Sequence, residues 1–257
     1  MSATQARLRF EGKTVAITGG AGDIGSVIAL AFLREGANVS IGDIDTKRAQ
    51  KVAGELRGEG TGAAEAWSLD VTKLASIQAW IDQTVRKYGG LDVLVNTAAL
   101  MPVKPSLEVS EEDWDRTHAV NLRGAFFCAQ RAIAQMKKQG RGGRIVSIAA
   151  IDAKCGVPAV AFYSTTKAGI VNMSQALAVE FAKDGITVNC VCPGWVKTEG
   201  VLNNTAWNWR EGIKKIPMGR MAEPQEVADL ILYLASDSAG AISGESVNID
   251  CAEWAGI

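Results

Sequence analysis

The chain has 257 residues, 47% hydrophobic and 21% charged, with a net charge of −1, a composition that predicts a soluble globular protein folded as a single domain over residues 1–257. Its 27 Lys and Arg nearly cancel its 28 Asp and Glu, which argues against nucleic acid and anionic membranes as partners, and no apolar run reaches the roughly 18 residues of a membrane span. Five cysteines without zinc or thioredoxin spacing and one histidine, His118, argue against a metal site and a histidine-based triad, and the start, MSATQARLRFEGK, lacks a secretory core, so the expected compartment is the cytosol.

In chain order, "TVAIT" (14–18) reads as a strand, "GGAGDIG" as a turn, "SVIALAFLREG" as a helix and "NVSIGD" (38–43) as the next strand. Strand, glycine turn, helix and strand in about 30 residues make a βαβ unit, which pairs its strands in parallel. The alternation continues with a helix from Thr46 to Arg57, strand "AEAWSLD", helix "ASIQAWIDQTVRKYG" and strand "LDVLVN". A long helix over 110–139 and strand "GRIVSIAA" (143–150) follow. Next come a helix from Tyr163 to Gly185, strand "ITVNCVCPG", helix "PQEVADLILYLASD" and strand "ESVNID". Seven strands alternating with six main helices predict an α/β, Rossmann-like, doubly wound parallel sheet flanked by helices. Residues 199–216 interrupt the alternation, as a lid or binding loop does.

Gly20-Ala21-Gly22-Asp23-Ile24-Gly25 fits G-x-G-x-x-G between a strand and a helix. Glycines let backbone approach a pyrophosphate, and the N–H groups of the helix start hold the anion. Asp43, 18 residues after Gly25, ends the second strand. A carboxylate there accepts ribose hydroxyls and repels a 2′-phosphate, and its neighbour Ile44 is not basic, so the expected cofactor is NAD. The bland reading makes Asp43 a turn former before Asp45. Tyr163 and Lys167, at i and i+4, project from one helix face. An ammonium beside a phenol stabilises the phenolate, which suits proton exchange with an alcohol or carbonyl oxygen while hydride passes to or from nicotinamide.

These features resemble the short-chain dehydrogenase/reductase family over nearly the whole chain. Its Y-x-x-x-K appears as Tyr163 to Lys167, its T-G-x-x-x-G-x-G as Thr18 to Gly25, and its N-N-A-G as Asn96 to Ala99. The resemblance implies that Tyr163 is the acid/base, that Lys167 lowers its pKa and holds the nicotinamide ribose, and that Asn121 supports a proton relay. It further implies cofactor contacts from Gly19, Asp23, Ile24, Asp70, Val71, Asn96 and Ala98, and from Pro193, Gly194, Val196 and Thr198 in "NCVCPGWVKT". A homotetramer, built through the long fourth and fifth helices and the C-terminal edge, is the family's usual assembly.

The chain departs from the family in places. Counting thirteen residues back from Tyr163 reaches Ala150, where the family's active-site serine is expected. Loss of that donor costs roughly 100-fold to 1,000-fold, by analogy with oxyanion donors. Three explanations stay open: an engineered Ser→Ala variant, an enzyme using another group, or a dinucleotide-binding regulatory or scaffold protein. Asp152, two residues on, is the nearest polar substitute, although ionised it only accepts hydrogen bonds. Asp23 replaces a glycine of the turn and is expected to cap the helix and point outward. Thr97 and Ala99 replace the second Asn and the Gly of N-N-A-G, and Asp250-Cys251-Ala252 replaces D-G-G. On the substrate side Ala150, Asp152, Tyr163, Trp195 and Trp207 are expected, with Met101 and Cys155 as wall residues. The tryptophans suit a cyclic or apolar body, whereas Asp152, Asn203 and Asn204 suit a sugar or polyol.

Overall fold

The computed structural model describes residues 8–205 and 208–256. Seven strands, β1 (Thr14–Thr18), β2 (Asn38–Asp43), β3 (Ala64–Ser68), β4 (Val93–Asn96), β5 (Gly143–Ile148), β6 (Ile186–Pro193) and β7 (Ser246–Ile249), form one sheet in the order β3-β2-β1-β4-β5-β6-β7. Every pairing is parallel, as crossover helices require. The helices are α1 (Asp23–Arg34), α2 (Thr46–Glu55), α3 (Leu74–Tyr88), α4 (Glu111–His118), α5 (Ala125–Gln139), α6 (Ala161–Phe181), α7 (Glu199–Leu202), α8 (Trp209–Ile213) and α9 (Pro224–Ala235).

Side-chain alternation along the strands builds a core on each face. Val15 and Ile17 of β1 turn toward Ile28 and Phe32 of α1 and Val227 and Ile231 of α9. Ala16, between them, joins Leu94, Trp80 of α3 and Met136 of α5 on the opposite face. Strand order reverses between β1 and β4, so the segments leaving these two strands diverge and open a crevice at their carboxyl ends. The glycine turn and the chain after Asn96 therefore meet at that crevice. Among the described residues no helix is long and apolar enough to cross a membrane.

Two differences from expectation bear on the site. The long helix predicted over 110–139 is divided into α4 and α5 by a π-helical turn, Ala119–Gly124. Such a turn inserts one residue, about 100° of helical phase, and the run 110–139 carries no proline that would end the predicted helix. Gly124 ends it where a Cβ would lie 2.9 Å from the Val71 side chain. Strand β5 stops at Ile148, two residues short of the predicted end, and the chain enters a 3-10 turn over Ile151–Ala153.

Candidate active site

The turn after β1 is locked to the end of β4. The Thr18 hydroxyl accepts the N–H groups of Thr97 (3.0 Å) and Ala98 (3.1 Å), and the Thr97 hydroxyl donates back to the Thr18 carbonyl. Gly19 adopts a left-handed φ of +62°, and a Cβ there would lie 2.8 Å from the Ala98 Cα. At Gly25 a Cβ would collide with the Gly19 carbonyl. Gly22 caps α1 with no side chain, which leaves first-turn N–H groups for an anionic ligand. This bare-backbone cradle at a helix start fits the pyrophosphate of a dinucleotide.

Asp23 does not cap α1, contrary to expectation. Its Oδ2 accepts the Gly200 N–H at 3.1 Å, and its Oδ1 accepts from Arg48 Nη2 at 3.0 Å. A residue at the first helical position already lies past the cap, so its carboxylate is turned outward to these partners. Asp43 Oδ2 accepts the Ala21 N–H at 3.1 Å, and its Oδ1 accepts the Asp45 N–H at 3.0 Å. The carboxylate thus braces the glycine turn and the following loop together. Ile44 beside it is 74% exposed.

Tyr163 sits in the first turn of α6, almost wholly buried, with Ala150 and Val160 packed against it. Burial, reinforced by the Asp152 charge, pushes its phenol above the usual tyrosine value. Lys167, one turn on, lies with Nζ 5.5 Å from the Tyr163 ring centroid and donates to the Ile148 carbonyl at 2.8 Å. Burial draws its ammonium down to about 8, opposed by Cys192 and Asp152. Desolvation therefore sets the direction of both shifts. Asn121, in the π turn, donates to the Leu100 carbonyl (2.8 Å) and to Thr166 Oγ1 (3.2 Å). The Thr166 hydroxyl in turn donates to the Tyr163 carbonyl at 2.7 Å.

These elements surround a cleft of about 650 Å³. Gly19, Asp23 and Ile24 line one end, and Ala150, Asp152, Tyr163 and Lys167 line the other. Pro193, Gly194, Trp195, Val196 and Thr198 also line it, together with Val201 and Lys215 of segment 199–216. Met101 and Cys155 are wall residues. Asp152 reaches the cleft from the 3-10 turn rather than from an extended strand, and burial raises its carboxyl pKa while Lys167 opposes.

Other candidates stand outside this wall. Asp70 accepts the Thr72 hydroxyl (2.6 Å) and pairs with Lys73 (3.1 Å), which hold its carboxyl below the usual range. Val71 is buried, Asn96 donates to Ser147 Oγ at 3.2 Å, and Ala98 is engaged through its N–H. Trp207 lies outside the described residues.

Sequence reasoning missed Arg48 and Glu253, both on the cleft wall. Asp250 accepts the N–H groups of Ala252 (3.1 Å) and Trp254 (2.8 Å), folding the chain end back. Cys251 and Ala252 take left-handed φ values of 55° and 69° within this fold. Glu253 is thereby set against Gly194, where a Cβ would lie 2.8 Å from its Oε2. Burial, with Asp250 and Asp152, raises its carboxyl pKa, while a Trp195 hydrogen bond opposes. The Asp250 turn, standing where D-G-G was expected, is the signal that could have found it.

Residues 19–251 match a family model described as Enoyl-(Acyl carrier protein) reductase. A D-threitol dehydrogenase of Mycolicibacterium smegmatis is 38% identical, with 94% of this chain and 93% of the relative covered. A sorbitol dehydrogenase of Cereibacter sphaeroides is 35% identical, covering 96% and 99%. The crystal structure of a short-chain type dehydrogenase/reductase from Mycobacterium marinum superposes with a TM-score of 0.90 at 34% identity, covering 98% of this chain and 99% of that one.

Proposed function

The chain belongs to the short-chain dehydrogenase/reductase family, and on that premise we propose that it is an NAD-dependent oxidoreductase interconverting a secondary alcohol and a ketone at Tyr163. The observation that carries this reading is one cleft holding both the Tyr163–Lys167 pair and a glycine turn built for an anion. Bound there, a nicotinamide dinucleotide supplies the hydride acceptor or donor. The turn from Gly19 to Gly25 holds the pyrophosphate, Asp43 the adenosine ribose, and Lys167 the nicotinamide ribose. Asp70, Val71, Asn96 and Ala98 shape the adenine and backbone side of the same site, and Pro193 to Thr198 the nicotinamide side. The carboxylate of Asp43 favours NAD over its 2′-phosphorylated form, since neighbouring Ile44 brings no cation.

Tyr163 gives or takes the proton at the substrate oxygen, with Asn121 linking its helix to the chain after β4. Ala150, at the serine position, leaves that oxygen without a second donor, so turnover is slow compared with a serine-bearing enzyme. Segment 199–216 acts as the substrate lid of a single catalytic domain, with Trp195 on the substrate side. Asp152 and Glu253 give this end two acceptors in a largely apolar wall, which favours hydroxyl-rich substrates, and the polyols named for two relatives support the same class. The assembly is a homotetramer. The groove beside α5 and α6, where Phe126 is exposed and Leu122 and Met173 form the wall, supplies an apolar face for it. Five free cysteines suit the cytosol.

The test is reduction of NAD or NADP by the purified protein across tetritols, pentitols, hexitols and simple secondary alcohols. NADH formation with a polyol is expected. Dinucleotide binding without turnover on any substrate would favour the regulatory alternative that Ala150 raises.

A further inference from the structure

Asp23 stands at the opening of α1, in the phosphate turn, yet its Oδ2 accepts the N–H of Gly200, 177 residues further along the chain. Gly200 belongs to α7, whose first turn is otherwise capped by the Thr198 hydroxyl accepting the Val201 N–H at 3.2 Å. The start of the lid is thus shared between its own threonine and a carboxylate borrowed from the cofactor turn. Thr198 and Val201 both line the cleft, so this contact holds α7 at the cleft mouth. The second carboxylate oxygen is taken by Arg48 of α2. An unpaired carboxylate here would repel a pyrophosphate; the guanidinium at 3.0 Å and the backbone N–H offset its field.

We propose that Asp23 is a positioning residue that fastens the lid to the phosphate turn, so that lid opening and dinucleotide release occur together. This rests on the dehydrogenase reading of the cleft. Two roles for the carboxylate predict opposite signs. If Asp23 acts only as a negative charge near the pyrophosphate, its removal slows dinucleotide release. As a latch, its removal frees the lid and speeds release.

The experiment compares wild type with Asp23→Gly and Asp23→Asn. Hydrogen exchange of peptides covering 199–204, without dinucleotide, reads the latch directly, with peptides of α3 and α5 as the control for an intact fold. Stopped-flow release of NADH reads its consequence. Asp23→Gly should exchange about tenfold faster at the lid, the loss of one charge-assisted hydrogen bond, and release NADH several-fold faster. Asp23→Asn, whose amide oxygen still accepts from Gly200, should recover most of the lid protection. Unchanged lid exchange in Asp23→Gly, or slower release from it, overturns the proposal. Absence of any dinucleotide binding by wild type would instead overturn the dehydrogenase reading, and the exchange arm would still decide the latch.

Discussion

Asn121 and Leu100 exchange two hydrogen bonds: the Leu100 N–H donates to Asn121 Oδ1 at 2.7 Å, and Asn121 Nδ2 donates to the Leu100 carbonyl at 2.8 Å. The side chain thereby replaces a missing strand partner for the chain leaving β4, and through Thr166 it reaches the Tyr163 helix. Asn121→Ala leaves both backbone groups of Leu100 without partners. It should lower stability by about 2–3 kcal/mol, read from urea unfolding, and lower kcat because the Tyr163 helix loses its support.

Lys167 provides a pH signature. Burial draws its folded-state pKa from 10.5 down to about 8. Between those values the unfolded chain holds a proton that the folded chain has released, so this group makes stability rise with pH. Tyr163, pushed upward, acts in the opposite sense only above about pH 10, where an unfolded phenol ionises. Wild type should therefore gain about 1–2 kcal/mol relative to Lys167→Met between roughly pH 8 and 9.5, measured as the difference in urea unfolding free energies.

Much of this site is readable in the sequence because it is local. The turn from Gly19 to Gly25 and the four-residue step from Tyr163 to Lys167 each sit within one short element, where spacing determines which groups share a face. What escaped depends on contacts between distant segments. Nothing near Asp23 announces Gly200, because that contact forms only when segments 177 residues apart meet at the crevice, and Glu253 is signalled only indirectly, by the departure from D-G-G at Asp250. Asp152, two residues past Ala150, reaches the cleft through a 3-10 turn, a geometry that the two-residue spacing alone does not announce. The π turn at Asn121 leaves little mark in the sequence because no proline stands within 110–139.

Cys251 and Ala252 occupy left-handed backbone at 55° and 69°, where a Cβ costs about 1–2 kcal/mol per residue. Glycine relieves that strain at some cost in unfolded-chain entropy. Cys251→Gly combined with Ala252→Gly should raise stability by about 1 kcal/mol, seen as a higher Tm, without moving Glu253 from the cleft.

Ala150 is nearly buried and packs against Tyr163. Ala150→Ser places a hydroxyl beside the phenol at the cost of one added oxygen atom. Turnover with NAD and a polyol should rise about 10-fold or more, in steady-state rates at saturating NAD. An unchanged rate would mean that another group already supplies the donor.

In the proposed reaction Tyr163 exchanges the substrate proton in a dinucleotide-dependent oxidation. The most direct test of that role is NADH formation from the polyol panel by wild type and Tyr163→Phe, with NADH binding measured for both. The account predicts slow but measurable turnover by wild type and a loss of about 100-fold to 10,000-fold in Tyr163→Phe, with NADH affinity retained. Equal rates in the two proteins, or no NADH from a wild-type protein that binds NAD, would contradict it.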